Sequence, residues 1–236
     1  MVIGVEGYVG SGKTSLCREL LKLIPNSVLL NGGNLYRAIV YAMMQKGDTI
    51  KDLVKKSSEL NIKDMMDLYN INLRVENNET VCYMGDTKID EDALQSAEVS
   101  LAVSNVGGKA DNELLFEFAR GLIDDLKKEH DVIIAGRALM VIYPNLDYHF
   151  MVTCDLEERV KRKLGQYLKD NHIDKYISEE EYDKQYKYVK ANIMERDRLQ
   201  DKAGFYKMYE GSITLDVTEC KSAKESAKKL LTYINK

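Results

Sequence analysis

Residues 2–24 constrain the fold of this chain more than any other stretch. Val2 to Glu6 is a short apolar run, and Gly7, Gly10 and Gly12 then break it within six residues. Ser15 to Ile24 follows with Leu16, Leu20, Leu21 and Ile24 on one side of a helix, and stops before Pro25. Ser27 to Leu30 supplies a second strand, and Leu35 to Met44, beyond Gly32 and Gly33, a second helix. Strand, helix, strand, helix is the pattern of a parallel sheet covered on both sides. Asp131 to Ile134, Tyr148 to Val152 and Ser212 to Val217 add three buried-strand candidates, and Ser222 to Tyr233 a closing helix. The expected fold class is α/β: a doubly wound parallel sheet of five strands.

Two segments stand outside that pattern. Residues 71–89 read as two alternating runs around Asn77-Asn78 and a turn at Gly85-Asp86, a small antiparallel element. Residues 155–202 carry twelve Lys/Arg, twelve Asp/Glu and five tyrosines at helical spacing, the pattern of solvated helices. At roughly 150 residues per domain, 236 residues suit one domain, 1–236, with an insertion at 60–96 and a charged helical region at 155–200.

Composition excludes several classes. Cys17, Cys82, Cys154 and Cys220 lie far apart with no CxxC pair, which argues against a disulfide scaffold or zinc ribbon and suits a reducing compartment. A net charge of -4 disfavours a nucleic-acid coat or a membrane-surface binder. No apolar stretch approaches the roughly 18–20 residues of a membrane span, and the N-terminus shows no basic n-region or cleavage site. The expectation is a soluble cytoplasmic protein with no nucleic-acid or membrane partner. No residue pattern specifies an oligomeric state.

Gly7-Tyr8-Val9-Gly10-Ser11-Gly12-Lys13-Thr14 matches GxxxxGK[ST], in its required place between strand and helix. Glycines let consecutive backbone N–H groups point inward at phosphate oxygens, and the helix adds its positive end. The motif gives Lys13 the β- and γ-phosphates and gives the Thr14 hydroxyl a place on Mg²⁺. Gly7, Gly10, Ser11, Gly12, Lys13, Thr14 and Ser15 are therefore candidate ATP-binding residues, Thr14 is the candidate metal ligand, and Glu6 is a candidate outer-shell carboxylate. This makes the expected fold a P-loop NTPase-type sheet. Arg37 lies one turn into the second helix, at the sheet edge where ligands bind. It reads equally as a phosphate fork or a solvated arginine. Gly136-Arg137 ends another buried strand, where a ligand contact is the better reading. Arg159 and Arg162 share a helix face. On spacing alone they read first as a salt-bridged surface, and second as cations placed over phosphates.

Taken in order, these segments resemble the cytidylate kinase family of nucleoside monophosphate kinases. Its Leu-Asp-Thr/Ser-Gly-x-x-Tyr-Arg segment is Leu30-Asn31-Gly32-Gly33-Asn34-Leu35-Tyr36-Arg37 here, and its Glu-Val-Ser-x-x-Val-Ser-x-Val stretch runs from Glu98 to Val106. Its Asp-Gly-Arg-Asp appears as Ala135-Gly136-Arg137-Ala138, its lid segment as Glu157 to Lys163, and its later Arg-Asp as Arg196-Asp197. The resemblance implies that Arg37, Arg137 and Arg196 hold the acceptor phosphate, that Ser104 lies near the base, and that the 71–89 hairpin closes over the monophosphate. It also places Arg159 and Arg162 in a lid over the triphosphate. Lys13, Arg137, Arg159 and Arg162 are then the catalytic set, with ATP and Mg²⁺ as cofactors.

The departures are specific. Asn31, Ala135 and Ala138 stand where the family has aspartates. Glu113 falls near the family's base-reading arginine, and Gln200 and Ala203 replace a further aspartate and arginine. The residues that grip phosphate are kept, and those that read cytosine and ribose are not. A phosphate acceptor needs no general base, whereas a hydroxyl acceptor usually does. The expected function is therefore transfer of the ATP γ-phosphate to a nucleoside monophosphate. The alternatives are a nucleotide-binding regulatory module with little transfer activity, or a kinase for another small phosphorylated metabolite.

Overall fold

The computed structural model describes residues 1–96, 98–99, 102–103, 113–170 and 178–234. Five parallel strands form its centre: β1 (Val2–Gly7), β2 (Ser27–Asn31), β6 (Asp131–Ala135), β7 (Tyr148–Thr153) and β8 (Ile213–Asp216), in the order β2-β6-β1-β7-β8. Each expected core strand is present, with ends shifted by at most a residue or so.

Alternation along the strands fills two cores. Ile3, Val5, Leu29, Ile133, Phe150, Val152 and Leu215 face helices α1 (Lys13–Leu23) and α10 (Ala223–Ile234), meeting Leu16, Leu20 and Leu230. Val2, Val28, Leu30, Val132 and Ile134 face the opposite way, onto Ile123 of α6 (Glu113–Leu126) and Leu139 of α7 (Leu139–Ile142). Both faces are covered, so the strands read as continuous apolar runs. A fully buried Leu or Ile contributes about 1.5–3 kcal/mol.

After β2 the chain forms α2 (Gly32–Gln45), α3 (Ile50–Glu59) and α4 (Ile62–Tyr69). A hairpin follows, β3 (Ile71–Glu76) and β4 (Glu79–Met84), and β5 (Thr87–Lys88) adds to β4 before α5 (Glu91–Gln95). Asn77 and Asn78 make the hairpin turn with φ of 50° and 63°, the left-handed pair that a two-residue hairpin requires. The sequence places this element outside the core, yet β4 joins the core sheet beside β2, pairing Leu29 with Glu79. The Leu29 N–H donates to Asn78 O at 2.8 Å. The buried Thr80 hydroxyl accepts from the Asn31 N–H and donates to Leu29 O, both at 3.2 Å. A side-chain hydroxyl thus completes the β2 edge where the strands diverge. Among the described residues the sheet has eight strands and runs from β3 at one margin to β8 at the other.

The charged stretch forms two helices, α8 (Leu156–Asp170) and α9 (Glu179–Lys202). Val160 of α8 and Ile193 of α9 bury Val9 between them, so the helices lie directly on the glycine-rich loop. Among the described residues no helix is long and apolar enough to cross a membrane.

Candidate active site

The carboxyl end of β1 runs into the loop of residues 7–14, and α1 begins at Lys13. Gly10 and Gly12 take φ of 79° and 85°, a region that costs an L-residue roughly 1–2 kcal/mol. Gly7 is required for another reason: a Cβ there would sit 2.5 Å from Val152 O. The first-turn N–H groups of α1, Lys13 to Ser15, have no intrahelical acceptor and gather at this end of the sheet. The Ser11 hydroxyl is buried without a protein partner.

Four cations converge here from separate elements: Lys13 at the start of α1, Arg37 on α2, Arg137 after β6 and Arg196 on α9. Burial, then repulsion from Arg137 and Arg196, holds the Lys13 ammonium well below its ordinary value. Burial and the same two arginines bring Arg37 down to about 10. Arg137 and Arg196 are also pulled down, in each case first by burial. Burial and like charges disfavour the cationic form of each group, and a bound anion would relieve both. Of the sequence candidates, Ser104 lies outside the described residues; the other substrate-binding candidates are all in this cluster.

Arg37 donates to Leu94 O at 2.9 Å, which ties α2 to α5. Arg137 donates through Nε to Gln200 Oε1 and through Nη1 to Gly136 O, both at 2.9 Å. The buried Arg159 ion-pairs with Asp197 and donates to Val9 O at 3.0 Å, while its Nε has no protein partner. Arg162 spans from Ser11 O, at 3.4 Å, to the carbonyls of Val217 and Cys220, at 2.9 and 3.1 Å. Both arginines therefore touch the backbone of the glycine-rich loop. A cavity of about 140 Å³ adjoins it, lined by Tyr8, Thr153, Cys154, Asp155, Arg159, Asp216 and Thr218.

Glu6 is fully engaged by the protein. Its oxygens accept from the Leu139 and Ala138 N–H groups at 2.6 and 3.2 Å and lie 3.1 Å from His149 Nε2. The other His149 ring nitrogen is 2.7 Å from Ser212 Oγ. This buried carboxylate fixes the turn carrying Arg137. Sequence reasoning missed that role, and also missed Tyr206, whose hydroxyl reaches Asp197 and Gln200 at 2.7 and 2.8 Å. Gln200 left a trace as a departure from the family pattern; Tyr206 left none. Among the described residues no group of three or more His, Cys, Asp or Glu side chains could hold a metal.

A parallel sheet in this order, a glycine-rich loop between β1 and α1, and cations along its carboxyl edge define a P-loop NTPase-type α/β protein. The chain belongs to the cytidylate kinase family, whose profile matches residues 3–236. It is 26% identical over 203 residues to the cytidylate kinase of Actinobacillus succinogenes, covering 84% of this chain and 81% of that one. With the cytidylate kinase of Salinibacter ruber it shares 22% over 231 residues, 95% of this chain and 93% of the relative. These identities make it a divergent member. The crystal structure of TT1252 from Thermus thermophilus aligns over 100% of this chain and 96% of its own, at a TM-score of 0.42 and 16% identity.

Proposed function

We propose that this chain is an ATP-dependent phosphotransferase that moves the γ-phosphate to a nucleoside monophosphate. The observation that carries the reading is the convergence of Lys13, Arg37, Arg137 and Arg196, each with its charged form disfavoured until an anion arrives. Family membership supports the kinase class. The domain reading is a single unit over 1–236, with 60–96 as the acceptor-binding insertion and 155–200 as the lid.

The residues present fit ATP. The loop of Gly7 to Ser15 would cradle the triphosphate with its N–H groups, the orphaned Ser11 hydroxyl would gain a partner, and Lys13 would neutralise the β- and γ-phosphates. Mg²⁺, with the Thr14 hydroxyl as protein ligand and phosphate oxygens and water completing its shell, would supply further charge neutralisation. Arg37, Arg137 and Arg196 would hold the acceptor phosphate in line with the γ-phosphate, and Ser104 would approach the base. Arg159 and Arg162 would offset charge as the phosphoryl group moves. Phosphoryl transfer depends mainly on such positioning and charge neutralisation. A monophosphate is already a nucleophilic anion, which agrees with the alanines at positions 135 and 138.

The test is ADP formation on addition of a panel of nucleoside monophosphates, with Lys13→Ala as the blank. Acceptor-dependent turnover in the wild type and none above background in the variant are expected. ATP binding without turnover on any monophosphate, or full activity in Lys13→Ala, would overturn the reading.

A further inference from the structure

We propose that Tyr206 and Gln200 are positioning residues that lock the acceptor-side guanidinium of Arg137 to the glycine-rich loop. The proposal rests on the reading of Arg137 as an acceptor-phosphate residue and adds how that residue is aimed.

The connection is continuous. Gln200 Oε1 accepts from Arg137 Nε at 2.9 Å and from the Tyr206 hydroxyl at 2.8 Å. That hydroxyl also lies 2.7 Å from Asp197 Oδ1, which accepts from the Val9 N–H at 3.2 Å. The Tyr206 ring packs against Tyr8 at 4.2 Å between centroids, tilted by 34°, and the Arg159 guanidinium lies 5.3 Å over Tyr8. One tyrosine therefore meets the loop with its ring and, through Gln200, reaches Arg137 with its hydroxyl.

Chemistry gives this link a defined direction. A guanidinium has five N–H donors; Gln200 and Gly136 take two of Arg137's, leaving the others for phosphate. A carboxylate facing Nε would hold Arg137 more strongly but would cancel the charge that phosphate seeks. A neutral amide orients the guanidinium and leaves its charge intact. Tyr206 has one proton and two acceptors, Asp197 and Gln200. Sharing it keeps the arginine and the loop in one hydrogen-bonded unit.

Tyr206→Phe removes the hydroxyl and keeps the ring against Tyr8; Gln200→Leu removes the amide and keeps Tyr206. CMP and ATP are titrated separately into each variant by calorimetry, and KM and kcat are measured wherever wild type turns over. Loss of one such bond predicts about five- to tenfold weaker CMP binding in each variant, with ATP affinity unchanged and the melting temperature lowered by only about 2–4 °C. The double variant should be no worse than the weaker single one, because both act through one path. Unchanged CMP affinity in both variants overturns the proposal. So does parallel loss of CMP and ATP affinity with a strongly lowered melting temperature; if wild type does not bind CMP, the nucleoside monophosphate that it turns over fastest takes its place in every titration. Failure of the phosphotransferase reading is seen separately, as absent ADP formation in wild type.

Discussion

Ala138 sits at φ 52° and ψ 32°, directly after Arg137. The left-handed region costs alanine roughly 1–2 kcal/mol, and Glu6 holds the residue there through its N–H. Ala138→Gly should therefore stabilise the protein by about 0.5–1 kcal/mol, the strain relief being partly offset by glycine's unfolded-state entropy. Urea unfolding would register this as a higher midpoint at unchanged slope. The same turn shows what the sequence conveys at this scale. The cations Lys13, Arg37 and Arg137 were legible because each follows a strand end or a motif, whereas Arg196, inside α9, was singled out only through the family resemblance. The task of Glu6 was not, because it depends on His149 lying one strand away and on a left-handed alanine that no local pattern announces. Tyr206 was equally silent: it lies in a turn after α9 and matters only through partners at positions 8, 197 and 200.

At the scale of elements, five core strands and their helices were legible from apolar runs punctuated by glycine. The attachment of the hairpin was not. A two-residue Asn-Asn turn announces antiparallel pairing but says nothing about which outside strand β4 will meet. Arg18 strengthens that attachment. Its Nε lies 3.1 Å from both Glu79 oxygens, and its Nη2 is 2.7 Å from Glu91 Oε2, so α1 is tied to β4 and α5. The groups are a third or more exposed in part, and each exposed pair contributes at most about 1 kcal/mol. Arg18→Ala should thus lower global stability only slightly. It should loosen the hairpin against α1 more clearly, seen as faster amide exchange at Leu29 and Asn31 with little change elsewhere.

For the whole molecule, the cation cluster links stability to pH. In the unliganded fold the Lys13 ammonium is held well below 10.5, chiefly by burial, so the unfolded chain binds that proton more tightly. Unfolding free energy should then rise with pH from the depressed value of Lys13 toward 10.5, where the unfolded lysine also deprotonates. Urea titrations across that window, with Lys13→Met as reference, isolate the contribution as a slope present only in the wild type. The sheet carries a different whole-molecule consequence. Because β4 pairs with both β2 and β3, the surface facing outward on that side belongs to β3, a strand bearing Arg74 and Glu76. The opposite margin, β8, is four residues long. Short or charged margins resist templating by a neighbouring chain. The hairpin that joins β2 therefore also caps the sheet against edge-to-edge self-association at high protein concentration.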